Sequence, residues 1–224
     1  MTQTVLITGA SKGIGLALSK LFLANSYKVI GTCRTGIIED FKHDFFDVVK
    51  QDLSDLSSLE SVSEYVKGKY GKIDILINNA GIGPDLDTDR PEKESFQKTF
   101  DVNVTGAVFF TESMIDKINK GGMIINISSI LGSIESRKTA DSVAYCMSKS
   151  ALNMYSKILF NRLKGSHKIA SIHPGWVRTT IAPSNITEGK LSPEESAANI
   201  FDFITSDFKS GIYWNAETGS EIKW

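Results

Sequence analysis

The chain has little with which to build a covalent or metal-bound scaffold. Its 224 residues hold only two cysteines, Cys33 and Cys146, far apart and with no second pair, so neither a disulfide framework nor a zinc site is expected and a reducing compartment fits. The three histidines, His43, His167 and His173, are scattered with no ligand spacing. Net charge is also scarce. Lys and Arg number 25 against 26 Asp and Glu, a balance of −1 that offers no footprint for nucleic acid or an anionic membrane. No apolar run is long enough to span a bilayer, and no basic leader precedes the first strand, so a cytoplasmic protein is expected. Repeats, low-complexity tracts and linkers are likewise missing, which predicts one domain over residues 1–224.

What the chain does contain is an alternation of two patterns. Val5–Thr8, Lys28–Thr32, Phe46–Gln51, Ile73–Asn78, Met123–Ser128 and Lys168–His173 are short, β-branched-rich and nearly continuous in apolar character, as strands buried on both faces are. Between them Leu16–Ala24, Leu56–Gly68, Glu94–Asn119 and Val143–Leu163 carry helical spacing. Ser192 caps a last helix, Pro193–Thr205, and Gly211–Trp224 is expected to add one edge strand. Such alternation predicts an α/β fold, a doubly wound parallel sheet of Rossmann type with about seven strands and helices on both faces.

The first strand runs into Gly9-Ala-Ser-Lys-Gly13-Ile-Gly15 and then a helix. Glycines let the backbone turn sharply and approach a ligand, while the helix start presents unpaired N–H groups, so a pyrophosphate suits the turn. Packing alone also produces such turns. A carboxylate about 20 positions after the turn would bind an adenosine ribose. Arg34 stands in that region instead, with Lys12 inside the turn. Two cations without a carboxylate suit a 2′-phosphate, hence NADP over NAD, although each could be a solvated surface charge. Asp52, at the end of the third strand, could bond an adenine amino group or cap the next helix, and Asn78 and Asn79 could tie neighbouring loops together.

Tyr145 and Lys149 stand at i and i+4, on one face of a helix. A phenol near pKa ~10 is a poor acid or base at neutral pH, and a lysine held close favours the phenolate. A phenol so tuned can exchange a proton with a carbonyl oxygen during hydride transfer. By itself this short pairing says little.

Taken together, Thr8-Gly-Ala-Ser-Lys-Gly-Ile-Gly15, Asn78-Asn-Ala-Gly81, Asn103, Ser128-Ser129, Tyr145-x-x-x-Lys149 and Pro174-Gly175 resemble, in identity and order, the short-chain dehydrogenase/reductase family over nearly the whole chain. Ser129–Ile134 and His173–Thr179 are similar to its branch of sniffer-type carbonyl reductases and C-factor proteins. The resemblance implies four catalytic positions. Tyr145 is the acid/base, Lys149 bonds the nicotinamide ribose and depresses the tyrosine pKa, Ser129 holds the substrate carbonyl, and Asn103 stabilises a water that relays protons. It also implies that Gly9, Ser11, Lys12, Gly13 and Ile14 surround the phosphates of NADP (NADPH) and Arg34 meets the 2′-phosphate. Asp52 and Leu53 would meet the adenine, Asn79 the adenosine-side ribose, and Pro174, Val177 and Thr179 the nicotinamide end, with Ala80 and Gly81 also binding the cofactor.

The chain departs from the family pattern in two places. Ser129 lies 16 residues before Tyr145, which implies an enlarged intervening loop, and the substrate-covering segment 179–192 is short and polar. Large, enclosed substrates are therefore not expected; Trp176, Leu131, Ile134 and Ile181 are candidate walls or core residues. Strand alternation places Ser129 with Met123, Ile125 and Ile127 and Ser128 with Ile124 and Asn126. Ser133 lies nearer the common distance from Tyr145, but beyond Gly132, outside the strand. Placement favours Ser129, since rigid elements hold a reacting group better than loops.

The expected function is reduction of small or medium aldehydes, ketones or diketones by NADPH. The alternative is a nucleotide-binding signalling or regulatory protein of C-factor type with incidental turnover. The Ser–Tyr–Lys–Asn set argues for catalysis. Surplus apolar residues on the Glu94–Asn119 and Val143–Leu163 stretches, including Phe96, Phe100, Phe109, Phe110, Met154 and Ile158, fit a homodimer or homotetramer, or else a core covered by neighbours.

Overall fold

Among the described residues eight strands form the sheet: β1 (Thr4–Thr8), β2 (Lys28–Cys33), β3 (Phe46–Lys50), β4 (Ile73–Asn78), β5 (Ile118–Ile127), β6 (Lys168–His173), β7 (Ile212–Asn215) and β8 (Ser220–Glu221). The computed structural model describes residues 2–39 and 41–224. Strand order is β3-β2-β1-β4-β5-β6-β7-β8, parallel from β3 to β7, with β8 antiparallel at one edge. The order reverses between β1 and β4, so the loops after both strands flank one crevice at the carboxyl edge.

Helices α1 (Gly13–Ala24) and α7 (Pro193–Thr205) cover one face of the sheet. Helices α2 (Leu56–Lys69), α4 (Ala107–Met114) and α5 (Val143–Leu163) cover the other. Alternate residues of one strand enter opposite cores: Ile125 and Ile127 pack with Phe22 and Ile200, whereas Ile124 packs with Phe110 and Leu159. This two-sided burial explains the continuous apolar runs. β3 is the exception, since as an edge strand it buries only Phe46 fully.

One polar layer crosses the α5 side of this core. Asn126 Nδ2 donates to Ser156 Oγ at 2.7 Å, and its Oδ1 accepts from Asn78 Nδ2 at 2.7 Å. Asn78 also donates to Thr111 Oγ1, and Ser171 Oγ donates to Ser156 Oγ, both at 2.8 Å. Strands β4, β5 and β6 are thereby keyed to α4 and α5. A hydrogen-bonded layer of this kind accepts one helix position, whereas an apolar surface accepts several.

Four expectations need correction. Glu94–Asn119 is not one helix. It divides into α3 (Lys93–Phe100), a π-helical turn (Asp101–Gly106), α4 and a 3-10 turn (Ile115–Lys117). The bulge brings Gly106 against the Leu53 carbonyl, where a Cβ would stand only 2.1 Å from the oxygen. β5 begins at Ile118, earlier than the run from Met123, because Ile118 pairs with Ile73 across a register shift. The 179–192 segment contains a short helix, α6 (Pro183–Glu188), with proline in its first turn. The tail supplies two strands, because the turn containing Gly219 (φ 65°) folds β8 back on β7.

Among the described residues no helix is long and apolar enough to cross a membrane. No group of three His, Cys, Asp or Glu side chains there is placed to hold a metal ion.

Candidate active site

The crevice is built from the carboxyl ends of β1, β4, β5 and β6. After β1 the backbone turns at Gly9 (φ 68°) into α1, whose N-cap Lys12 contributes no side-chain hydrogen bond to the first turn. Thr8 Oγ1 accepts from the Asn79 and Ala80 amides, each at 3.0 Å. Asn79 Nδ2 donates to the Thr8 carbonyl at 2.9 Å and the Gly9 carbonyl at 3.3 Å. The Asn78–Gly81 loop is thus laced to the glycine turn by Asn79, whereas Asn78, expected to tie loops as well, instead bonds β5 and α4 within the core.

Thr179 lies against Gly13, where an added Cβ would be 3.4 Å from the threonine methyl. Lys12 Nζ reaches the next residue, donating to Thr180 Oγ1 at 2.8 Å. Ser11 and Lys12 are exposed and Ile14 half-buried. Arg34 is exposed at the end of β2. Asp52 does not cap α2; Asp55 does, accepting from the Ser57 amide. The Asp52 carboxyl instead bonds the Ser54 hydroxyl and amide, which, with Arg34 and Lys98 nearby, hold its pKa below the usual range. Leu53 and Val177 are buried and Pro174 half-buried, its carbonyl accepting from Ser196 Oγ. These residues fit a dinucleotide. The first turn of α1 has N–H groups without a side-chain cap at a glycine turn, with the exposed Lys12 at its N-cap and the exposed Arg34 following β2.

The chemistry-bearing groups converge beside that cradle. α5 starts at Val143, and its own N-cap residue Ser142, at φ 56°, makes no capping bond. Asp85 serves in its place. Its buried carboxylate accepts from the Ala144 amide at 2.6 Å and the Tyr145 amide at 3.2 Å, neutralising the positive end of the helix. Nothing local in the sequence marks Asp85, because its partners lie 59 and 60 residues away. Gly83 leaves room for the Tyr145 ring, since a Cβ there would stand 3.0 Å from Cδ2.

Lys149 is buried one turn further along α5, with Nζ 5.5 Å from the centre of the Tyr145 ring and donating to the Ile127 carbonyl at 3.0 Å. Burial draws its pKa down to about 8. Burial also raises the Tyr145 phenol above its ordinary range, and the hydroxyl of Ser129 pulls it back. Ser129 thus adds a downward pull beside the one the resemblance assigns to Lys149, whose ammonium is bonded to the Ile127 carbonyl.

Asn103 sits in the π-helical turn and is buried. Its Oδ1 accepts from the Ile82 amide and its Nδ2 donates to the Ile82 carbonyl, each at 2.8 Å, with a further bond to Ser148 Oγ at 3.1 Å. A Cβ on Gly81 would be 3.3 Å from both Asn103 Oδ1 and Lys149 Nζ, so these two polar groups flank that glycine.

The three serines separate clearly. Ser129, extended at φ −158°, lies just past β5, caps a 3-10 turn (Ile130–Gly132) and meets the Tyr145 phenol. Ser128 is buried, and Ser133 Oγ donates to the Lys223 carbonyl at 2.7 Å, away from Tyr145. The serine turn rests directly on α5: a Cβ on Gly132 would stand 2.8 Å from the Lys149 carbonyl carbon.

His173 closes β6 beside this site, and burial draws its pKa down to about 4 from 6.5. Below pH 6.5 the unfolded chain takes up a proton that the folded chain refuses, so stability should fall as pH drops toward 4. Urea unfolding should show wild type losing ~2–3 kcal/mol more than His173→Gln between about pH 7 and pH 4.5. Parallel losses in the two proteins would assign the acid sensitivity to other groups.

Comparison with known proteins agrees with this geometry. The short chain dehydrogenase family profile matches residues 3–189. An uncharacterized oxidoreductase of Schizosaccharomyces pombe is 33% identical over 196 residues, covering 85% of this chain and 66% of that protein. The carbonyl reductase Sniffer of D. melanogaster superposes with a TM-score of 0.87 at 26% identity, covering 100% of both chains. An NADPH-bound carbonyl reductase from chicken fatty liver gives 0.84 at 25%, covering 100% of this chain and 99% of the other. The chain therefore belongs to the short chain dehydrogenase family of oxidoreductases.

Proposed function

We propose that this protein is an NADPH-dependent carbonyl reductase acting on small or medium aldehydes, ketones or diketones, with residues 1–224 forming one domain and 179–192 covering the substrate. The observation that carries the reading is the meeting of the Ser129 hydroxyl and the Tyr145 phenol beside the buried Lys149. The likeness to two carbonyl reductases supports it.

NADPH, when bound, supplies the hydride. Ser129 donates a hydrogen bond to the substrate carbonyl oxygen and orients it. Tyr145, protonated because burial raises its pKa, gives the same oxygen its proton. The charge left on the phenol is then favoured by Lys149, whose own pKa near 8 lets it return a proton from solvent at working pH. Because the Asn103 side chain clamps Ile82, its contribution to a water-borne relay would pass through the backbone of the π-helical turn. Lys12 and Arg34 offer charge-assisted bonds to a 2′-phosphate.

The same reading includes a two-fold assembly through α4 and α5. Phe110 is core, but Phe109, Met154 and Ile158 are exposed on these helices. Light scattering should give a dimer or tetramer mass at micromolar concentration, and a monomer alone would remove this part.

The decisive assay follows NADPH oxidation with a panel of aldehydes, ketones and diketones. Wild type should turn over with NADPH in preference to NADH. Tyr145→Phe should retain NADPH binding but lose about 10²-fold or more in kcat. Near-normal turnover in that variant would remove the phenol from the mechanism, and equal use of NADH would overturn the role given to the two cations.

A further inference from the structure

The turn that carries Ser129 is held by a residue remote from every motif in the site. Tyr213, in β7, is fully buried, and its register partner Ser171 places it on the α5 side of the sheet. Its phenol donates to the backbone carbonyl of Ser129. Asn153 and Ser128 lie beside that phenol, and burial pushes its pKa up to about 12, so it remains a donor across the working range. The Ser129 carbonyl also accepts from the Gly132 amide at 2.8 Å, the bond that closes the 3-10 turn. Tyr213 therefore fixes the peptide plane from which the Ser129 side chain departs.

The phenol is itself strapped in place. Ile222 donates its amide to the Tyr213 carbonyl at 2.7 Å, and Trp224 stacks on the Tyr213 ring with centres 5.4 Å apart. Lys157 of α5 lies over the outer indole at 5.9 Å. The same segment reaches the serine loop directly, through Ser133 Oγ and the Lys223 carbonyl. Asn153 Nδ2 and Ser150 Oγ, both on α5, hold the Gly132 carbonyl at 3.1 and 3.0 Å. A loop that the sequence marks as enlarged is thus clamped from α5 on one side and from β7 and its following segment on the other.

We propose that Tyr213 is a positioning residue for the reaction, aiming the Ser129 hydroxyl at the substrate oxygen through its hydrogen bond to the Ser129 carbonyl, with Ile222–Trp224 as the strap that keeps the phenol dry. This rests on the reading of Ser129 as the group that binds the carbonyl. A buried aromatic could instead serve the fold alone, and the two roles separate by coupling. A residue acting through Ser129 has nothing to position once that hydroxyl is gone.

The test compares wild type, Tyr213→Phe, Ser129→Ala and the double variant, with kcat and KM for the carbonyl that wild type reduces best and NADPH affinity by fluorescence titration. Tyr213→Phe should lower kcat about tenfold, the scale of a modest misplacement, and leave the NADPH affinity within about twofold. Ser129→Ala should lower kcat about 10²-fold, and adding Tyr213→Phe to it should cost no further activity. Wild-type kcat in Tyr213→Phe, or the same tenfold loss in both backgrounds, would overturn the proposal while leaving the reductase reading intact. Full activity in Ser129→Ala would overturn both the proposal and the reading of Ser129 as the group that binds the carbonyl. Should Tyr213→Phe not fold, Trp224→Leu replaces it, since it admits water to the phenol without altering the core. A kcat about threefold lower, only where Ser129 is present, supports the proposal, and an unchanged kcat overturns it.

Discussion

The seating of α5 on the sheet is the constraint on which the rest of the structure depends. The helix carries Tyr145 and Lys149, and three sets of directional contacts leave it one position. Asn126 and Ser171 bond Ser156 from below, Asp85 bonds the amides of its first turn, and Gly132 presses the serine turn against the backbone at Lys149. An error of one residue would strand several of these buried groups, at about 1–3 kcal/mol for each unsatisfied partner. Apolar packing by Leu159 and Leu152 supplies adhesion without register. The polar layer supplies the register.

Burial then sets the electrostatics. Tyr145 and Lys149 lie in the same dry pocket, and desolvation acts on them in opposite directions, raising the phenol and lowering the ammonium. Each is pushed toward its neutral form, which makes the ammonium the stronger acid of the two and so able to return a proton to the phenolate. Ser129 is a polar neighbour that favours the phenolate, so in this reading the hydroxyl both addresses the substrate and tunes the acid. Small displacements of the serine turn act on both roles at once, which gives weight to the clamp formed by Asn153, Ser150 and Tyr213.

Much of this was legible in the chain. β4, β6, α5 and α7 begin and end where residue pattern and caps place them, because their signals are local: Ser192 and Glu195 form a capping box, and β-branched runs stop at polar residues. The boundary between α4 and β5 was not legible. Phe96, Phe100, Phe109 and Phe110 continue a helical rhythm through a π-helical turn, and the strand starts where Ile73 offers a partner 45 residues earlier in the chain. The glycine turn, the Asn78–Gly81 loop and the Tyr145–Lys149 pair could be placed at one sheet edge by topology alone. Asp85 could not, nor could Tyr213, whose partner lies 84 residues away. Their importance is a property of the packed sheet.

Hydride delivery to a carbonyl carbon at the Ser129–Tyr145 edge is the central claim, and tracing the hydrogen tests it most directly. NADPH carrying deuterium at both C4 positions of the nicotinamide should be incubated with the protein and the aldehyde or ketone it consumes fastest, and the alcohol analysed by mass spectrometry and NMR. The account predicts one deuterium per product molecule, bonded to the former carbonyl carbon and retained on exchange into water. Binding of NADPH with no alcohol formed from any carbonyl, or alcohol free of the label, would contradict it.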